Sequence, residues 1–117
     1  MVSDPAIQER LVQNGAEQLK KFAANGGPIL FGTDVGFITI YDTSQEVEDM
    51  HRALTPNEVL ASLTTTPAEY FKAGEKGRVE KGFDADVVVL SGDPAEDVKN
   101  LAKVEYTIRR GKIIYKK

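Results

Sequence analysis

The first apolar pattern along the chain has the spacing of a helix. A start signal is present at Ser3-Asp4-Pro5, because aspartate caps free backbone amides and proline suits the first helical turn. Asn25-Gly26-Gly27-Pro28 is a stop signal. The sequence therefore predicts one amphipathic helix that ends before Asn25. The residues on its apolar face are Ile7, Leu11, Leu19 and Phe22.

A short apolar run follows this helix directly. Ile29-Leu30-Phe31 is bounded by glycine and proline and contains no polar position, which is typical of a fully buried strand of the parallel type. Gly32-Thr33-Asp34 closes the run and leaves a carboxylate just beyond the predicted strand. The next stretch, Gly36 to Tyr41, is compatible with an extended segment or an ordered loop.

The middle third of the chain repeats one helix-start signal three times. In each repeat a threonine stands three residues before a glutamate, which is the spacing of a capping box. Apolar residues at helical spacing follow the first two signals, and Gly74 ends the last one. This third is therefore predicted to be helical, in two or three short pieces. The signals are Thr43–Glu46, Thr55–Glu58 and Thr66–Glu69.

The last third changes to the period of a β-strand. Ala85 to Leu90 is rich in valine and predicts a buried strand. Val104 to Ile108 alternates apolar with polar residues, as a half-buried strand does. Arg110-Gly111 predicts a tight turn into a hairpin partner, Lys112 to Tyr115. Between these strands, Ser91 to Leu101 predicts a turn with a short helix.

Composition narrows the class of protein. The 117 residues carry a net charge of -3, with acidic and basic residues interleaved, so no basic field is available for nucleic acid. The chain has no cysteine, which excludes disulfides and thiolate chemistry. No apolar run approaches the roughly 20 residues that span a bilayer. Met1 to Arg10 is polar and lacks the order of a signal peptide. We therefore expect a cytoplasmic protein without membrane or nucleic-acid partners.

Asp34 is the sharpest candidate for chemistry. A carboxylate just past the carboxyl end of a buried parallel strand lies where α/β sheets and barrels keep their active sites. Gly32 leaves room for a ligand or a neighbouring backbone to approach. The alternative is structural, since aspartate also commonly caps turns at strand ends.

The other polar clusters have ordinary structural interpretations. His51 is the single histidine, so a multi-histidine metal site is excluded, and a solvated surface histidine is expected. Asp84 and Asp86 resemble a carboxylate pair but are expected to shape the start of the following strand. Two charged groups are expected to be solvated faces. These are Glu46, Glu48 and Asp49 in the helical third, and Arg109, Arg110, Lys112, Lys116 and Lys117 at the end.

Read together, four segments resemble the C-terminal end of the amidohydrolase superfamily, nearest its imidazolonepropionase-like and prolidase-like branch. Each segment alone is a weak signal, but their joint order and spacing are specific, and the resemblance covers Pro28 to Tyr115. Ser3 to Gly27 is similar to the helix before the eighth barrel strand. The segments are Ile29–Asp34, Leu54–Ala68, Gly77–Leu90 and Ser91–Ile114.

The resemblance implies an α/β fold. By this resemblance, the chain would be the C-terminal fragment of a (β/α)8 metal-dependent hydrolase barrel. It would contain the last strand and helices of the barrel, and strands of the small composite β-sandwich domain. Residues 1–75 would form the end of the barrel, and residues 76–117 the C-terminal strands of the small domain. The boundary is expected in the stretch Gly74–Gly82.

The resemblance also implies a role for Asp34 as catalytic residue and metal ligand. In such enzymes a divalent metal, with zinc the expected ion, lowers the pKa of a water molecule. The strand-end aspartate takes the proton of that water and passes it to the leaving nitrogen. The substrates are small molecules with a C–N bond, of the cyclic amide, urea or dipeptide type.

This chain lacks parts of the family pattern, including parts that catalysis needs. A whole barrel takes about 250 residues, and the family's other metal-binding histidines and its bridging lysine or glutamate have no counterparts here. The family also has a glycine between the positions of Ala53 and Leu54. We therefore expect the chain alone to be inactive and to bind no metal tightly.

Two other functions stay open at the level of sequence. As alternatives to the enzyme fragment, the chain would be a non-catalytic α/β module, or a split subunit that completes a barrel with a partner chain. A weaker hypothesis is a small enzyme that uses Asp34 with His51. Because the strand Ile29–Thr33 would have lost its barrel neighbours, we also expect self-association or strand exchange.

Overall fold

The computed structural model describes residues 3–39 and 41–117. Parts of two predicted stretches, Met1 to Arg10 and Gly36 to Tyr41, thus lie outside the described residues. Helices come first along the chain and an antiparallel sheet follows, which makes a mixed α/β arrangement. The elements are α1 (Pro5–Ala24), α2 (Ser44–His51), α3 (Pro56–Leu63), α4 (Thr65–Tyr70), β1 (Val87–Leu90), a 3-10 helix (Val98–Ala102), β2 (Val104–Arg109) and β3 (Lys112–Lys116).

Helix α1 has the bounds that its start and stop signals predict. The Asp4 carboxylate accepts a hydrogen bond of 2.8 Å from the backbone N–H of Ala6, so the predicted cap is confirmed. Gly26 follows the helix with φ of 78°, in the left-handed region that glycine enters at low cost. The apolar face is only partly covered, because Ile7 and Leu11 remain exposed.

The buried core lies where α2 meets α3. Its buried side chains come from both helices and their junction, and partly buried residues of α1, of the segment after α1 and of the 3-10 helix pack against them. The transfer of these apolar side chains out of water is the main favourable contribution to the free energy of packing the helices together. The buried members are Val47, Met50, Leu54 and Val59, and the partly buried ones are Leu19, Ala23, Ile29, Phe31, Ala53 and Leu101.

The prediction of a fully buried parallel strand at Ile29–Phe31 is wrong for this structure. The segment is half-buried and belongs to no strand ladder of the described residues. One backbone hydrogen bond, 3.1 Å from the Phe31 N–H to the Ser62 carbonyl, ties it to the end of α3. The physical reason is that a strand exists only through its neighbours, and the described residues place no parallel strand beside this one.

One of the three predicted capping boxes is confirmed. The Thr55 hydroxyl accepts from the Glu58 N–H at 3.2 Å, and the Glu58 carboxylate accepts from the Thr55 N–H at 2.7 Å. At α2, Thr43 makes no cap hydrogen bond, and its ψ of 0° lies outside the extended region that a capping residue adopts. The Asp42 carboxylate instead accepts from the N–H of Ser44 at 2.9 Å. At α4, the helix starts at Thr65, before the predicted signal, and has no side-chain cap.

The three strands form one antiparallel sheet in the order β1-β2-β3. The predicted hairpin is confirmed, with Arg109 paired to Lys112 across the turn. Arg110 and Gly111 both have positive φ, 49° and 76°, which matches the right-handed twist of the flanking strands. The two edges differ in chemistry, since β3 carries lysines at both ends whereas β1 consists of three valines and a leucine.

Two further expectations concern the chain as a whole. None of the helices in residues 3–39 and 41–117 combines the length and the apolar character that crossing a bilayer requires. The four α-helices of these residues precede the strands, and the 3-10 helix lies between β1 and β2. The predicted boundary between two domains in Gly74–Gly82 stays a prediction.

Candidate active site

Asp34 stands at the end of the extended segment that begins after α1. Its φ of 55° lies in the left-handed region, which aspartate tolerates better than most residues. Its backbone carbonyl accepts hydrogen bonds of 3.0 Å from the N–H groups of Phe37 and Ile38, so the main chain turns sharply here. The turn is therefore built by the backbone of Asp34 and leaves the side chain available.

The carboxylate of Asp34 is exposed. No hydrogen bond to its oxygens comes from residues 3–39 or 41–117. A side chain that served only as a turn cap would accept a local backbone N–H. The described residues therefore do not show the Asp34 side chain capping its own turn.

A second acidic side chain shares this region. Partial burial raises the pKa of Glu46 above its usual value, and the negative charges of Asp49 and Asp34 raise it further. The first turn of α2 therefore approaches Asp34 closely enough for their charges to interact. Glu46 was expected to belong to a solvated face. No sequence signal indicates that its charge interacts with that of Asp34, because this interaction depends on how α2 packs.

The described part of the chain does not fit a complete metal site. It contains no group of three or more histidine, cysteine, aspartate or glutamate side chains that could hold a metal ion. A catalytic zinc site uses three protein ligands and keeps one position open. Asp34 can thus supply one ligand, and the remaining ligands would have to come from other polypeptide.

His51 lies at the end of α2, where its ring has a structural partner. Its Nδ1 is 2.9 Å from the carbonyl oxygen of Leu54, which identifies Nδ1 as the hydrogen-bond donor. No hydrogen bond joins His51 to Asp34 in the described residues. This geometry fits a helix-end histidine better than the base of an Asp34–His51 pair.

Asp84 and Asp86 are joined by a cation. The Lys76 ammonium donates to Asp84 at 2.8 Å and to Asp86 at 2.6 Å. The other oxygen of Asp86 accepts from the backbone N–H of Arg110 at 2.9 Å, in the turn of the β2–β3 hairpin. Asp86 thus ties the start of β1 to the hairpin, and Lys76 joins Asp86 to Asp84, as expected of residues that shape a strand start. The sequence does not reveal Lys76 as their partner.

This anchor makes a prediction about pH. The hydrogen bond from Lys76, followed by that from the Arg110 N–H, lowers the pKa of Asp86 below its ordinary value of 3.8. A lowered pKa stabilises the fold above the unfolded-state value, and the contribution is lost as the pH falls through the folded-state value. We expect Asp86→Asn to lower the urea midpoint at about pH 6, and the difference from wild type to shrink below about pH 4.

The matched control for this prediction is Asp84→Asn. Asp84 contacts the same lysine but accepts nothing from the hairpin turn, so its replacement should have the smaller effect. A difference between wild type and Asp86→Asn that stayed constant from about pH 6 to pH 3 would contradict the assignment.

Several of the remaining charged residues make ion pairs across the surface. Glu48 pairs with Lys99 at 3.7 Å, and Asp49 with Arg52 at 3.4 Å. Arg52 also contacts Glu9 of α1 at 2.6 Å and thereby links α1 to the end of α2. At the C-terminus, Lys117 lies 4.0 Å from Glu105. Exposed pairs of this kind contribute little stability each, in keeping with solvated faces.

Comparisons with known proteins identify the family to which this chain belongs. The model of a family described as the amidohydrolase family matches residues 1–114. An imidazolonepropionase from Thermoplasma acidophilum is 33% identical over 105 residues, which are 82% of this chain and 25% of that protein. The resemblance noted in the sequence is thereby confirmed.

Two solved structures are similar in three dimensions. A prolidase complexed with N-methylphosphonate-L-proline has a TM-score of 0.78 at 33% identity, over 90% of this chain and 27% of that one. A Xaa-Pro dipeptidase with methionine bound in its active site has a TM-score of 0.77 at 26% identity, over 87% of this chain and 25% of that one. The chain thus spans about a quarter of the length of these relatives.

Proposed function

Because the chain belongs to the amidohydrolase family, we propose that it is the C-terminal part of a metal-dependent hydrolase of C–N bonds. In this proposal the segment Ile29–Asp34 pairs with strands from the rest of the protein and so becomes the last strand of a (β/α)8 barrel. The chain also contributes the last helices of that barrel and strands of a small β domain. The observation that carries the proposal is Asp34, an exposed carboxylate without a hydrogen-bond partner in the described residues, at the end of the extended segment that the family match includes.

The role of Asp34 follows from its chemistry. Asp34, together with ligands from the rest of the protein, would hold a divalent metal, zinc in this proposal, which would make a water molecule acidic enough to lose a proton near neutral pH. One carboxylate oxygen of Asp34 takes that proton, and the same carboxyl group gives it to the nitrogen that leaves when the C–N bond breaks. The carboxylate is free to do this because the N–H groups of its own turn donate to the backbone carbonyl of Asp34 and not to the carboxylate oxygens.

The substrate class comes from the relatives. The similar structures include a prolidase and a Xaa-Pro dipeptidase, and the curated relative is an imidazolonepropionase. We propose that the substrate is a small dipeptide or cyclic amide. Chemistry by the whole protein requires ligands beyond Asp34, so the chain alone is proposed to be inactive.

Metal dependence is tested with the native protein that contains this chain. We expect it to hydrolyse members of a panel of X-Pro dipeptides and cyclic amides, to lose this activity when a chelator removes the metal, and to regain it with zinc. The isolated chain should retain less than about 0.1 zinc per molecule after dialysis, since one carboxylate cannot replace three ligands. Elemental analysis and an assay of amine release measure both results.

Two results would contradict the proposal. Stoichiometric zinc on the isolated chain would mean that its own residues form a metal site. Hydrolysis by the native protein that survives complete metal removal would exclude the metal-dependent mechanism. A larger polypeptide with the missing histidines that co-purifies with the chain would instead identify it as a split subunit.

A further inference from the structure

The dipeptide Asn-Gly occurs twice in the sequence, as Asn14-Gly15 and as Asn25-Gly26, and both copies lie in α1 or at its end. At this dipeptide an asparagine side chain reacts readily with its own backbone, because glycine has no Cβ to shield the following amide nitrogen. Both asparagines are exposed. The two sites share their chemistry and differ in their place in the helix, so the fold decides which of them reacts.

Asn14 lies near the middle of α1, with about two and a half turns of helix on each side. The nitrogen of Gly15 can reach the side chain of Asn14 only after the middle of the helix has opened. Such opening breaks the hydrogen bonds of several turns at once and is therefore rare in the folded state. Asn14 is thus a protected reference site within the same helix.

Asn25 is the C-cap of α1, and both of its reacting groups are bonded to the last turn of that helix. The side-chain amide of Asn25 donates to the Lys21 carbonyl at 2.9 Å, and the N–H of Gly26 donates to the Ala23 carbonyl at 2.9 Å. A last turn frays while the rest of its helix stays folded. Release of these two hydrogen bonds therefore does not require unfolding of α1.

We infer that Asn25 is a site of spontaneous deamidation, with a rate that fraying of the last turn of α1 controls. When the turn opens, the nitrogen of Gly26 attacks Cγ of Asn25. A bond from this nitrogen to Cγ forms, the Cγ–Nδ2 bond breaks, and ammonia leaves with the proton of the Gly26 N–H. Water then opens the cyclic imide, at Cγ to give aspartate or at the backbone carbonyl carbon to give isoaspartate. The inference does not depend on the proposed function.

The product fits the end of the helix less well than asparagine does. A carboxylate cannot donate to the Lys21 carbonyl, and it adds a negative charge at the negative end of the helix dipole. The following turn is tightly built, since the Gly27 N–H donates to the Phe22 carbonyl at 3.0 Å and the Phe22 ring leaves no room for a Cβ at Gly27. With the hydrogen bond from Gly26 it forms a Schellman motif. Isoaspartate lengthens the backbone just before this motif, so deamidation loosens the connection from α1 to the segment that ends at Asp34.

The test follows both sites by mass spectrometry in the native protein that contains this chain, incubated at mildly alkaline pH with and without denaturant. In the folded protein we expect Asn25 to convert at least about tenfold faster than Asn14. In denaturant the two rates should agree within about threefold, since no helix protects either site. Trypsin places the two asparagines in separate peptides. It cuts after Arg10, Lys20, Lys21 and Arg52.

Two matched variants measure the consequence. Asn25→Asp carries the aspartate product and should lower the melting temperature of the native protein by about 1–3 °C. Asn14→Asp, in the same helix, should change it by less than about 1 °C. Equal conversion of the two asparagines in the folded protein overturns the inference. So does an Asn25 that stays intact there while both sites convert in denaturant, or an absence of conversion in denaturant.

Discussion

Replacement of Asp34 by asparagine is expected to lower kcat of the native protein by about 10³-fold, within the range of lost acid–base groups. Asparagine has nearly the same shape and also tolerates a positive φ, so the turn that contains the φ of 55° should persist. The amide cannot take a proton from water, which removes the proposed chemistry while the backbone stays in place. Steady-state kinetics on the best substrate of the panel measure the loss.

The control for this experiment is Asp4→Asn. Asp4 caps α1 through the Ala6 N–H, and asparagine is an equally good cap. This variant should keep wild-type kinetics and an unchanged melting temperature. Activity within about tenfold of wild type in Asp34→Asn would remove Asp34 from the acid–base role.

The second large effect is expected at Leu54, which is 4% exposed where α2 and α3 meet. Leu54→Ala removes most of a buried side chain and leaves a cavity that the two helices can close only in part. The free energy of unfolding should fall by about 2–4 kcal/mol. Urea unfolding of the isolated chain, followed by circular dichroism, measures the change in midpoint.

Leu60→Ala is the matched control, because Leu60 belongs to α3 and is 38% exposed. Its replacement should cost about 1 kcal/mol or less. Equal losses for the two leucines would mean that the core does not lie at the α2–α3 junction in solution.

Local signals made the helix starts and the hairpin predictable. Asp4 before Pro5 and the Thr55–Glu58 box act through hydrogen bonds between residues at most three positions apart. Arg110-Gly111 acts through backbone conformation alone. Such features need no knowledge of the rest of the fold. The prediction failed at Thr43–Glu46, where the same pattern is present but the backbone of Thr43, with ψ of 0°, does not have the extended conformation of a capping residue.

Features that depend on distant residues were not predictable. The strand at Ile29–Phe31 has the right composition, yet a strand requires neighbours that composition cannot provide. For the candidate site, Asp34 is a prediction from local sequence, which marks the end of an apolar run. The contacts of Lys76 with Asp84 and Asp86 span eight and ten positions, which no cap or turn signal covers. The charge interaction between Glu46 and Asp34 depends on how α2 packs.

The sheet has an asymmetry that determines how it can grow. Lys112 and Lys116 on β3 would have to give up their hydration if another strand were laid beside them, whereas β1 offers only valine and leucine. Any additional strand, from this polypeptide or another, would therefore join on the side of β1. The sheet can therefore be extended at β1, whereas β3, with its lysines, remains an edge strand.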